Sequence, residues 1–106
     1  MNGQEAKDRI INRIRDVLAS QPSLRVAYLY GSFLSREDFR DIDIALLTDD
    51  QIPGEKTLEY ASRIADILGT ELAFRYECDV RVINHEPVWF QYEVIRSGRA
   101  LYIRDE

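Results

Sequence analysis

Asp41 and Asp43 stand two residues apart in a run, DIDIALL (Asp41 to Leu47), that reads as a β-strand. On a strand, positions i and i+2 share a face. Two carboxylates therefore project side by side, while Ile42, Ile44 and Leu46 turn the other way into a core. Neighbouring carboxylates repel and raise each other's pKa, and a cation between them relieves this. Hard oxygen donors select Mg²⁺ or Mn²⁺ over zinc. The plainer alternative is two exposed acids at a strand start, beside Arg40.

Two further features belong with this pair. Gly31-Ser32 follows an apolar strand. A glycine there lets backbone approach a ligand closely, and a serine opening a helix offers its hydroxyl and adjacent N–H groups to phosphate oxygens. A simple turn with Ser32 as N-cap is the alternative. Asp79 sits at the head of a later strand, and the alternative for it is a charge paired with Arg75 or Arg81. Arg81 shares the face of Asp79, where it could steady a triphosphate or balance the acid; the residues leave that open.

The elements that must position these residues follow from periodicity. Ile10, Ile11, Ile14, Val17 and Leu18 recur at helical spacing and predict an amphipathic helix from Gln4 to Ser20, ended by Gln21-Pro22-Ser23. Arg25 to Tyr30 is β-branched and aromatic and predicts a buried strand, stopped at Gly31. Residues 32 to 40 mix polar and apolar positions and predict a short helix and a loop. Asp49, Asp50 and Pro53-Gly54 form a turn. Leu58, Ala61, Ala65, Leu68 and Leu72 predict a long helix that contains Gly69 and is open to a break there. Cys78 to Ile83 is a third strand. Pro87 opens a helix carrying Val88, Phe90, Tyr92, Val94 and Ile95 toward Ser97, Gly98 caps it, and Arg99 to Ile103 is a last strand. The order α-β-α-β-α-β-α-β predicts an α/β fold, equally describable as α+β, with helices packed on a small mixed sheet.

With 106 residues and no linker, repeat or low-complexity segment, the sequence predicts a single domain, residues 1–106. Apolar residues make up 45% and charged residues 31%, which argues against wholesale disorder. One cysteine excludes an internal disulfide, and one histidine with one cysteine excludes a Cys/His zinc site. The apolar runs are too short to span a bilayer, and the N-terminal sequence lacks a signal peptide's apolar region. A cytoplasmic protein with no membrane partner is expected. The net charge of −5 is not the footprint of general nucleic-acid binding. Acids crowd between Glu37 and Asp50, so an anionic substrate there would need carboxylate-held divalent cations to offset repulsion.

Together, a strand, Gly31-Ser32, a helical linker, Asp41-x-Asp43 on the next strand and Asp79 on a later one resemble the signature of the nucleotidyltransferase superfamily that includes DNA polymerase β. The whole chain, from the leading helix to YEVIRSGRALYIRD, resembles its minimal MNT class. Two departures stand out: the 33–40 linker is shorter than the family usually shows, and Arg36 stands where members often carry glycine. The resemblance implies a nucleotidyltransferase fold, two Mg²⁺ ions and ATP as nucleotide donor. Asp41 and Asp43 would hold the ions; Asp79 would complete one shell and favour deprotonation of an incoming hydroxyl. Ser32 and the N–H groups after Gly31 would hold the β- and γ-phosphates. Attack at the α-phosphorus would transfer NMP and release pyrophosphate.

Larger relatives add an acceptor-binding domain, for which this length leaves no room. A partner chain or a homo-oligomer is expected to supply the acceptor. The resemblance implies a HEPN-type helical toxin as partner and AMPylation of that toxin as the antitoxin activity. An antitoxin that masks its partner by binding alone is the alternative, with Trp89, Phe90, Tyr92, Phe33 and Phe39 as candidate contact aromatics. A stand-alone transferase for a small hydroxyl compound is a third reading. His85 reads as a solvated loop residue, Cys78 as a small buried residue, Arg36-Glu37-Asp38 as a solvated face, and the tyrosines as packing residues.

Overall fold

A computed structural model describes residues 3–36 and 39–105. Helix α1 (Gly3–Ala19) turns Ile10, Ile11, Ile14, Val17 and Leu18 inward, as its period requires. The chain leaves it through Ser23, at φ 68°, and enters β1 (Leu24–Tyr30). One turn of helix, α2 (Ser32–Ser35), leads to β2 (Asp41–Thr48). A 3-10 turn at Gly54–Lys56 precedes α3 (Thr57–Glu71). Strand β3 (Glu77–Val82), helix α4 (Val88–Ser97) and strand β4 (Arg99–Ile103) complete the chain.

The four strands form one sheet in the order β3-β2-β1-β4. β1 runs antiparallel to β2 and β4, and β2 runs parallel to β3. The parallel pair needs a crossover, which α3 provides. The mixed sheet with helices against it is the architecture expected from the alternating pattern. Its larger core joins α1 and α3 to Leu24, Ala27, Leu29, Ile42, Ile44 and Leu46. A smaller cluster on the other face joins Ala45, Ile83 and Val94 of α4. Ile44 is fully buried at the centre of the larger core. Ile44→Ala should lower unfolding free energy by about 3 kcal/mol, read as a lower urea midpoint at unchanged slope.

Predicted and observed element limits agree to within a residue, but three expectations need correction. In α3 the buried stripe is Tyr60, Ala61, Ile64 and Leu68, whereas Leu58 is exposed. Tyr60 is drawn in because its hydroxyl donates to the carbonyl of Pro22 at 2.8 Å. Gly69 does not break α3. The helix stops after Glu71, where Ala73 and Phe74 adopt φ of 56° and 57° and the Phe74 N–H returns to the Gly69 carbonyl at 2.8 Å. Tyr92 of α4, read as a packing residue, is exposed, as are Val88 and Ile95, while Val94 is buried. Gly98 does cap α4, but in an extended conformation. Its glycine is required because a Cβ would lie 2.8 Å from the Leu29 carbonyl oxygen and closer still to that of Val94.

Candidate active site

Strand alternation puts Ile42 and Ile44 in the core and Asp41 and Asp43 on the opposite face. The parallel register then sets Asp43 directly beside Asp79, and Asp41 beside Glu77. On its other side Asp43 pairs with Tyr30, the last residue of β1. All three predicted aspartates therefore share one face at one end of the sheet. Asp43 is half-buried between two strands, with Asp41 and Asp79 exposed on either side of it. Partial burial, then the Asp79 and Asp41 carboxylates, raise the pKa of Asp43; Arg81 opposes them.

Gly31 closes the site from β1. Its φ of 80° and ψ of −157° lie in a region open essentially to glycine alone. A Cβ on Gly31 would overlap the Asp43 carboxylate, at 2.3 Å from Oδ2. The sequence pairing of Gly31 with Asp43 is thus a physical contact: backbone passes where any side chain would displace the carboxylate. Ser32 follows as the first residue of α2, partly exposed. A one-turn helix has little macrodipole, so anion binding here would fall to individual N–H groups and the hydroxyl.

Tyr30, which is not among the predicted site residues, belongs to this surface, as does Arg81, which the sequence puts on the face of Asp79. The Tyr30 phenol faces the same side, and burial, then Asp43, hold its pKa above the ordinary value. Its ring meets Phe90 edge-on at 6.2 Å. The Arg81 guanidinium lies over the Phe90 ring, 5.5 Å from its centroid. Among the described residues no ion pair joins Asp79 to Arg75 or Arg81. Tyr30 was legible in principle: it is the residue before Gly31, and strand pairing carries it beside Asp43.

Other expectations fall as follows. His85 is exposed in its loop. Glu37 and Asp38 lie outside the described residues. Phe33 is not a contact aromatic; it is buried, and Phe39 packs on it with centroids 4.4 Å apart. Tyr92, expected to pack, is exposed. Cys78 turns away from Asp79 toward the core, and burial pushes its thiol up to about 11. Alkylation of Cys78 by iodoacetamide at pH 8 should be at least about tenfold slower in the folded protein than in urea.

The donor set suits a hard divalent cation: carboxylate oxygens alone, with Asp43 crowded by like charge. Among the described residues no three His, Cys, Asp or Glu side chains already converge as a metal cage. The residues fit the ion by donor type and by shared face.

This sheet order, with paired aspartates on β2 facing a third on β3 and glycine crossing behind them, is the framework of a nucleotidyltransferase domain. A family model described as polymerase beta, nucleotidyltransferase, matches residues 12–106, and the chain belongs to that family. Solved structures agree in fold. A chain of a toxin–antitoxin complex with AMP-PNP is 26% identical at TM-score 0.66, over 90% of this chain and 74% of that one. A chain of the toxin–antitoxin complex MntA–HepT is 25% identical at TM-score 0.57, over 95% and 73%. A chain of the tri-AMPylated Shewanella oneidensis HEPN toxin in complex with MNT antitoxin is 24% identical at TM-score 0.58, over 97% and 74%. No curated protein sequence matches this chain. No helix among the described residues is long and apolar enough to cross a membrane.

Proposed function

We propose that this protein transfers NMP, as AMP from ATP, to a hydroxyl of a HEPN-type helical toxin in the cytoplasm, and thereby acts as its antitoxin. The observation that carries the reading is the placement of Asp43, flanked by Asp79 across the parallel register and backed by Gly31. Solved neighbours that are toxin–antitoxin complexes, one with AMP-PNP and one with a tri-AMPylated toxin, support the choice of donor and acceptor.

In this reading Asp41, Asp43 and Asp79 would hold Mg²⁺, which supplies charge neutralisation at the α-phosphate and the leaving pyrophosphate. The Ser32 hydroxyl and the N–H groups after Gly31 bind the β- and γ-phosphate oxygens. Asp79 stands on β3, an outer strand of the sheet, where an acceptor can approach. It accepts the hydroxyl proton. The acceptor oxygen then bonds to the α-phosphorus, the bond to the bridging oxygen breaks, and pyrophosphate departs. Tyr30 and Phe90 form the apolar wall beside the carboxylates, and Arg81 is the nearby cation available to a phosphate oxygen. Catalysis is then mainly positioning and charge compensation.

One observation favours a second reading, a binding-only antitoxin. Val88, Trp89, Tyr92 and Ile95 of α4 are all exposed, an apolar stripe of the kind that partners cover. Incubation with Mg²⁺, α-labelled ATP and the toxin separates the two. Label on the toxin supports transfer; neutralisation of the toxin without label, equally by wild type and an aspartate variant, supports masking.

A further inference from the structure

The segment between the two halves of the site is contacted from outside the site by Lys7 of α1. Phe33 and Arg36 lie just after the Gly31-Ser32 turn, and Phe39 lies just before Asp41. Lys7, on the second turn of α1 and half-buried, points its ammonium into this segment. Nζ donates to the carbonyl of Phe33 and, at 2.7 Å, to the carbonyl of Arg36. The same Nζ lies 5.1 Å from the Phe33 ring centroid and 5.3 Å from that of Phe39. One cation thus touches the linker at both ends, through two carbonyls on the α2 side and one ring on the β2 side.

The chemistry of these contacts is specific. A single helical turn leaves most of its carbonyls without helical partners; in α2 the Arg36 N–H returns to Ser32. The Lys7 ammonium supplies a donor to the carbonyls of Phe33 and Arg36, the second of them in extended backbone just past the turn. The bonds are charge-assisted, and the approach of the same ammonium to two rings adds to them. Phe33 and Phe39 are pressed together at 4.4 Å, with Tyr76 stacked on Phe39 at 5.2 Å, so the segment has a firm apolar side for Lys7 to close against. A helix of four residues cannot hold its own geometry.

We propose that Lys7 is a positioning residue for nucleotide binding: it clamps the linker so that the Gly31-Ser32 turn is held ready for phosphate. The proposal rests on the transferase reading, and the test separates the two. Lys7→Met keeps the aliphatic stem and removes the charge; Lys7→Arg keeps the charge. With Lys7→Met the KM for ATP should rise about tenfold with kcat within about twofold, and the Kd for AMP-PNP should rise equally. Lys7→Arg should recover most of the loss. Amide exchange at Leu34 and Arg36 should quicken about tenfold in Lys7→Met, while the strand amides of β1 and β2 keep their rates. An unchanged Kd and KM in Lys7→Met, whether or not its melting temperature falls, overturns the role. If wild type binds AMP-PNP and transfers nothing, the transfer reading fails and the Kd comparison still decides the role of Lys7. If wild type binds no AMP-PNP, both fail.

Discussion

Asp43→Asn should reduce label transfer by at least about a thousandfold and at the same time make the isolated protein more stable near neutral pH. The two effects have one origin. Asp43 is the carboxylate with neighbours on both sides, and burial together with Asp79 and Asp41 raises its pKa. A carboxyl whose folded pKa lies above its unfolded value favours folding when protonated. That contribution is present below the ordinary aspartate range, near pH 3.9, and is lost as pH rises through the raised folded pKa. At pH 7 the wild type bears the cost of a partly buried charge beside two others, and the asparagine variant is relieved of it at position 43. The melting temperature of Asp43→Asn should therefore exceed that of wild type at pH 7, with the gap closing as the pH falls toward 3. Added Mg²⁺ should stabilise the wild type and leave the variant nearly unmoved, narrowing the gap at pH 7. Equal melting temperatures at pH 7 with no response to Mg²⁺ would show that the carboxylates are ordinary surface acids. Full transfer activity in the variant would remove Asp43 from the chemistry altogether.

The shared face of Asp41 and Asp43 was readable because strand geometry is simple. Period-two alternation alone puts Asp41 and Asp43 on one face, and Ile42, Ile44 and Leu46 are buried opposite them as that alternation requires. What a single sequence lacks is the pairing between strands. Nothing in DIDIALL or CDVRVI says that Asp43 falls opposite Asp79 rather than a residue to either side, and that register makes the two acids a unit. Helix phase was harder for a related reason. Leu58, Ala61, Ala65, Leu68 and Leu72 and the observed stripe through Tyr60, Ala61, Ile64 and Leu68 share residues, and both satisfy helical spacing. The choice came from outside the helix, where the Pro22 carbonyl takes the Tyr60 hydroxyl. In α4 the apolar residues run around more than one face. Only the side bearing Val94 meets the sheet, and the pattern of apolar residues does not single that side out. Lys7 left no local signal at all, since its partners are 26 and 29 residues away.

Gly31→Ala should cost more in activity than in stability, because two separate penalties meet at one atom. The first is backbone strain. At φ 80° and ψ −157° an alanine is in a region that costs about 1–3 kcal/mol, and this sum should appear in urea unfolding whatever stands at position 43. The second is collision with the Asp43 carboxylate, 2.3 Å from the new Cβ. That carboxylate is the free end of a side chain, so it swings aside at little cost to the fold. The swing removes it from the position beside Asp79. Transfer should consequently fall by at least about a hundredfold, well beyond the strain alone. A thermodynamic cycle isolates the second penalty. In an Asp43→Ala background the carboxylate is gone, and Gly31→Ala should then add its strain to stability and little further loss to the residual activity. If the two substitutions instead multiply in activity, Gly31 acts on the phosphates through its own backbone rather than by making room for Asp43.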